Sequence, residues 1–152
     1  MTRRLLGRVA LGLVALLLVA QLVPYGRDHA NPTPTRPVRF ADATTARIVA
    51  RACGDCHSDL TRWPAYASIA PMSWLVLNDV KGGRENLNFS AWDRPQPDVA
   101  EVVDAIMGKG MPPLQYRLIH SGARLSDGER RTLAAGLRRT WATDPPPPGG
   151  GG

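Results

Sequence analysis

The chain opens on a long apolar run: in residues 9–23 Gln21 is the one polar side chain, and Arg3, Arg4 and Arg8 stand before it. A basic leader followed by an apolar stretch is the layout of an export segment. At about 1.5 Å of rise per residue, residues 9–23 span about 22 Å as a helix and residues 5–25 about 31 Å, against a hydrocarbon core of roughly 30 Å. Leu22-Val23-Pro24-Tyr25 puts large residues where a small-residue cleavage site would fall. Residues 1–25 are therefore expected to stay attached as a signal anchor. This would be a transmembrane helix with its arginines on the cytoplasmic side and all that follows outside.

Beyond this segment, apolar residues recur at helical spacing. Asp42 can cap a helix through Ala46, Ile48, Val49 and Ala52 that leads into Cys53. A second helix is expected from Pro71 through Trp74, Leu75 and Val80, ending at Gly82-Gly83. A third begins near Pro97-Asp98 and sets Val99, Val102, Val103 and Ile106 at three-and-four spacing before Gly108. A fourth opens with the capping box Ser126-Asp127-Gly128-Glu129 and carries Arg130, Leu133, Leu137 and Trp141 on one face. No alternating strand pattern occurs, so the fold is expected to be all-α. Residues 26–41, with Pro32, Pro34 and Pro37, read as an extended spacer or a disordered stretch. Residues 42–142 read as the globular domain, and residues 143–152, rich in proline and glycine, as a disordered tail.

With 152 residues, 43% of them apolar, the chain holds at most one modest domain plus these extensions, which excludes a multidomain enzyme. The net charge of +6 owes much to the leader: after residue 30 there are 15 basic and 12 acidic residues. Without a lysine-rich stripe, no nucleic-acid partner is expected. Arg131, Arg138 and Arg139 give the last helix a basic face, suited to solubility or to docking an acidic redox partner. A domain of about 100 residues gains only modest stability from burial, so a bound group with apolar surface would help it.

The candidate chemistry lies in Cys53-Gly54-Asp55-Cys56-His57, which holds both cysteines of the chain. C-x-x-C-H is a c-type haem attachment sequence. On a tight helical turn, residues three apart project to one side. Two sulfurs can then reach the two vinyl groups of one porphyrin, and the histidine that follows can ligate the iron. A disulfide, a redox pair or a zinc site would use the same cysteines. Zinc needs four ligands, however, and the other histidines, His29 and His120, belong to the spacer and to a distant loop; a redox pair does not require His57.

The sixth iron ligand is sought among Met72, Met107, Met111 and His120. Met111 lies in Gly108-Lys109-Gly110-Met111-Pro112-Pro113, where glycines allow close backbone approach and prolines stiffen the loop presenting the thioether. Met107 is expected in the core, Met72 in the core or against the haem edge, and His120 in a loop or as a second imidazole ligand. An open sixth position is also compatible. Arg62 and Trp63, close after the motif, are read as haem-pocket residues. Arg62 would pair with a propionate, and Trp63 would join an aromatic lining drawn from Tyr66, Trp74, Trp92 and Trp141.

Several further motifs accompany these: Ser58, Thr61-Arg62-Trp63-Pro64, Ile69-Ala70-Pro71-Met72-Ser73-Trp74, Leu87-Asn88-Phe89-Ser90, Trp92, Met111-Pro112-Pro113 and Leu125-Ser126-Asp127. With Cys53–His57 they resemble the bacterial haem-binding domain family of small membrane-anchored, c-type cytochrome-like proteins, over about residues 38–142. The resemblance implies a cytochrome c-like helical fold, one haem c carried by Cys53 and Cys56, iron ligation by His57, and Met111 as the distal ligand. Met72 stands where the family often has an aliphatic residue, which keeps a second thioether open. The resulting expectation is a membrane-tethered electron carrier in the periplasm, exchanging single electrons with redox partner proteins. The alternatives are a gas or redox sensor or a peroxidase with an open iron position, or a structural haem subunit of a larger complex.

Overall fold

The computed structural model describes residues 3–148; Met1, Thr2 and the glycines that end the expected tail, 149–152, lie outside the described residues. The chain runs through α1 (Arg3–Ala20), α2 (Ala43–Ala52), α3 (Gly54–His57), α4 (Met72–Asn86), α5 (Val99–Met107), α6 (Leu114–Ile119) and α7 (Asp127–Thr143). Two 3-10 turns, Ala65–Ser68 and Ser121–Ala123, join them, and the described residues contain no strand, so the fold is all-α.

Local end signals set most of these helices. Asp42 accepts from the Thr45 N–H at 2.8 Å to start α2, and Asp98 accepts from the Ala100 N–H at 2.7 Å to start α5. The capping box of α7 closes reciprocally: Glu129 N–H donates to Ser126 Oγ at 3.2 Å, and Ser126 N–H to Glu129 Oε2 at 2.9 Å. By contrast, α4 does not stop at Gly82-Gly83 but continues to Asn86. Gly83 serves packing there, against the Cys56 backbone.

The described residues divide into two compact units, and the division differs from the expected order of leader, spacer and domain. The smaller unit joins the chain up to Ala30 with Trp63–Asp79. Within it α1 buries none of its residues. The expected transmembrane helix is corrected here: no helix among the described residues is long and apolar enough to cross a membrane. Arginines take up the first turns of α1, and the Gln21 side chain ends it by donating back to Leu17 O at 2.9 Å. The same amide bridges the backbone of Ala70, donating to its carbonyl at 2.9 Å and accepting its N–H at 3.0 Å. Between Arg8 and that stop, about 18 Å of apolar helix remains.

The larger unit joins Asn31–Arg62 with the chain from Val80 onward. Ile48, Val49 and Ala52 of α2, Ile106 of α5, and Leu133 and Leu137 of α7 form its core with Leu87, Phe89, Trp92 and Leu125. Trp92 is fully buried and meets Trp141 edge-on at 4.6 Å. α2 and α7 approach so closely that a Cβ on Gly136 would run into the Thr45 side chain. Residues 31–41 are not a free spacer. Val38 N–H donates to Phe89 O at 2.9 Å, Trp92 N–H to Arg36 O at 2.8 Å, and Arg39 N–H to Asp144 Oδ2 at 2.8 Å. Asp144, expected in the tail, is buried, pairs with Arg36, and takes the Trp92 indole N–H on its carbonyl at 2.7 Å. An extended segment has backbone groups to satisfy, and here the loop around Trp92 satisfies them.

Candidate functional site

α2 delivers Cys53 with its N–H bonded to Val49 O at 2.8 Å. The Cys53 carbonyl then closes the next turn, accepting from Cys56 N–H at 3.1 Å and from His57 N–H at 2.9 Å. The turn ends where Ser58 Oγ donates back to Gly54 O at 2.6 Å. Neither cysteine is in a disulfide. Burial pushes the Cys53 thiol up to about 12, with Cys56 adding to the rise. Such a thiol resists forming the thiolate that a redox pair needs.

The His57 ring points its Nδ1 at two carbonyl oxygens, Gly83 O and Leu87 O, each at 3.0 Å. Carbonyls only accept, so Nδ1 carries the proton and Nε2 keeps its lone pair. Burial moves the His57 pKa below its ordinary value, against the two carbonyls, which act the other way. The ring is therefore a neutral imidazole held as a metal-ligating histidine is held. Gly83 of α4 now has its reason, whereas a Cβ on Gly82 would meet open space. A Cβ on Gly83 would overlap the Cys56 carbonyl, so only glycine lets α4 come close enough to receive the His57 proton.

A polar cradle backs this arrangement. Phe89 N–H donates to His57 O at 2.9 Å, Asp59 N–H to Ser90 Oγ at 3.0 Å, and Asn88 Nδ2 to Asp59 Oδ1 at 2.9 Å. Arg84 donates from Nε to Ser58 O at 2.9 Å and from Nη2 to Thr61 Oγ1 at 2.8 Å, and lies 3.6 Å from Asp59. Leu87-Asn88-Phe89-Ser90, which the sequence marks only by resemblance, is thus the wall behind His57. No local sequence signal picks out Arg84 or Gly83.

Asp55, inside the motif, faces other elements. Its carboxylate accepts from Arg62 Nε at 2.9 Å and from Tyr116 Oη, on α6, at 2.7 Å. Burial would raise its pKa, but the bonds from Arg62 and Tyr116 outweigh that and hold it below the ordinary carboxylate range. Burial, and then the bond to Asp55, move the Tyr116 phenol above its ordinary range. Arg62, expected at a propionate, is therefore paired with Asp55. Trp63 belongs to the smaller unit, where it stacks on His29 at 4.8 Å; Met72 lies in the same unit. Met107 is exposed at the end of α5 rather than in the core.

The remaining candidates for the sixth ligand lie around α6. His120 stacks on Tyr116 with ring centres 4.2 Å apart. Met111 is 41% exposed, and its N–H is bonded to Ala105 O at 2.9 Å. Two prolines and the first two residues of α6 separate it from Tyr116, which touches the motif. α6 itself leaves Leu114 61% and Leu118 67% exposed. Two thiols on one turn, a neutral imidazole with its lone pair available, and apolar side chains bare on the helix tied to that turn suit a flat, largely apolar iron ligand. Among the described residues no group of three or more His, Cys, Asp and Glu could hold a bare metal ion.

Comparison with known proteins supports haem binding. Residues 15–139 match the family described as haem-binding domain, and the chain belongs to that family. It is also similar to the cytochrome c peroxidase Ccp of Escherichia coli (strain K12), 28% identical over 97 residues covering 59% of this chain and 21% of that protein. A second similarity is to the signal transduction histidine-protein kinase/phosphatase MprB of Mycobacterium avium (strain 104), 30% identical over 132 residues, 79% of this chain and 25% of that protein. The chain thus spans about a fifth to a quarter of the curated relatives it matches. No solved structure matches it.

Proposed function

We propose that this protein is a c-type haem protein that carries single electrons. The carrying observation is the His57 ring, whose Nδ1–H is committed to two carbonyls while two cysteines outside any disulfide stand on the same turn. In this reading Cys53 and Cys56 hold the porphyrin through thioethers, His57 Nε2 ligates the iron, and Met111 supplies the sixth ligand. When bound, the haem contributes a one-electron couple between ferrous and ferric iron, and thioether ligation raises its potential. Burial keeps the imidazole neutral, and the carbonyls of Gly83 and Leu87 fix its orientation. Arg62 and Tyr116 hold Asp55 and, with it, the motif turn.

The leader acts as an export segment that stays attached, and the domain works at the outer face of the bacterial inner membrane with protein redox partners. Retention is supported by the bonds that tie residues 21–25 into their unit, Gln21 to Ala70 and Tyr25 Oη to Asn78 Oδ1 at 2.7 Å. Exposed apolar side chains of α1, such as Leu11 and Leu18, supply a membrane-contacting surface without a full span. A second reading, peroxide reduction as part of a larger protein, is favoured by the similarity to cytochrome c peroxidase.

The test is the intact mass and pyridine haemochrome spectrum of protein expressed with cytochrome c maturation machinery. One covalent haem is expected, lost in the double variant Cys53→Ala/Cys56→Ala and not stably incorporated in His57→Ala. Colourless wild-type protein would refute the proposal. Peroxide consumption by the haem-loaded protein would shift it to the second reading.

A further inference from the structure

We infer that Arg130 is the positioning residue of the loop that carries Met111. The inference rests on the proposed role of Met111 as sixth ligand. Arg130 sits on α7, is 2% exposed, and takes part in none of the ion pairs among the described residues. A guanidinium buried without a counter-charge is costly unless it reaches strong acceptors. Its acceptors are two backbone carbonyls: Nη1 donates to Ile106 O at 2.5 Å and to Met111 O at 2.8 Å.

Those carbonyls bracket the turn that ends α5. Within it Gly108 N–H bonds to Asp104 O at 2.8 Å, and Met111 N–H to Ala105 O at 2.9 Å. Lys109 takes a left-handed backbone conformation, φ 62°, which is uncommon for a residue other than glycine, so the turn needs holding. One guanidinium nitrogen bridging both ends sets the width of the loop. Past Met111 the chain is caught again five residues on, where Tyr116 meets Asp55 in the motif turn. Met111 therefore presents its exposed side chain from between two anchors, its own carbonyl on Arg130 and the phenol on the motif. The motif-side anchor is a side-chain pair. The other is a buried cation bonded directly to the backbone of the ligand residue.

The test uses the full chain, matured with haem, in the variants Arg130→Met, Arg130→Lys and Met111→Ala. Intact mass and circular dichroism establish that haem and helices are retained. The deciding readouts are the weak far-red charge-transfer band of thioether-ligated ferric haem and the rate of carbon monoxide binding to the ferrous protein. Arg130→Met is expected to lose the band and bind carbon monoxide roughly tenfold faster or more, the factor for losing one charge-assisted hydrogen bond. Arg130→Lys is expected to fall between Arg130→Met and wild type, because its ammonium keeps the charge and the donors on a stem shorter than the reach of Nη1. A folded Arg130 variant with the wild-type band and rate overturns the inference. Failure of both Arg130 variants to fold while Met111→Ala folds also overturns it, in favour of a purely structural role. Should Met111→Ala itself leave both readouts unchanged, the ligand assignment falls. Should it change them while the folded Arg130 variants do not, only the positioning role falls.

Discussion

On the α4 side of the motif, His57 is held by the carbonyls of Gly83 and Leu87, and its backbone by Phe89, with Arg84 and Asp59 packed behind. On the α6 side, Asp55 meets a phenol and a largely exposed guanidinium, and Met111 stands on a loop with its side chain in the open. The first side uses backbone acceptors, whose positions are set once α4 is packed. The second uses side chains, with the Met111 loop held through its carbonyl by Arg130. The His57 side is therefore the more rigid of the two.

The largest effect should come from closing the gap on the α4 side. Gly83→Ala places a methyl group against the Cys56 carbonyl and should destabilise the haem-loaded protein by about 3 kcal/mol in urea unfolding, with most covalent haem incorporation lost. Wild-type stability in this variant would mean that α4 does not need to come so close. Next, the two arginines can be set against each other. Arg84→Met strips bonds from Ser58 O and Thr61 and leaves buried Asp59 without its cation, at a cost of about 2 kcal/mol. Arg62→Ala breaks an ion pair whose guanidinium is 70% exposed and should cost about 0.5 kcal/mol. Equal costs in the same denaturation assay would erase the contrast between the two sides.

The smallest effect concerns acid. The Thr45 N–H and then the Arg139 guanidinium lower Asp42 to about 2; the Ser126 N–H and then Arg51 lower Glu129 to about 2. Folded values below the unfolded ones mean that both carboxylates stabilise the fold above about pH 4.5, and that this contribution drains away as pH falls toward 2. Helicity followed by circular dichroism should decline through that window. In Asp42→Asn/Glu129→Gln the decline should be shallower, with lower stability at neutral pH. Both groups cap helices away from the His57 cradle, so the haem spectrum should change only after helicity begins to fall.

Much of the fold could be read from local signals. Asp42, Asp98 and the Ser126–Glu129 box start their helices by bonds to backbone two or three residues on. The tight turn of Cys53, Cys56 and His57 is equally local. The failures share a cause. Gly82-Gly83 has the sequence of a helix end, yet α4 continues because Gly83 answers to Cys56, far away in the chain. Pro-rich residues 31–41 have a spacer's composition, but their backbone pairs with the loop around Trp92. The apolar leader is cut short at Gln21 by a partner at Ala70. Met107 has helical spacing for the core and still lies exposed.

The sequence by itself determined where helices begin and which residues can offer sulfur and imidazole. Both depend on residue type and on spacing of a few positions along the chain. The tertiary structure alone decided which nitrogen of His57 holds the proton, why a glycine sits in the middle of α4, and which buried cation grips the carbonyl of Met111. Each of these turns on a hydrogen bond or a steric limit between residues 19 to 30 positions apart. Such contacts exist only after the helices have packed, and no local pattern encodes them.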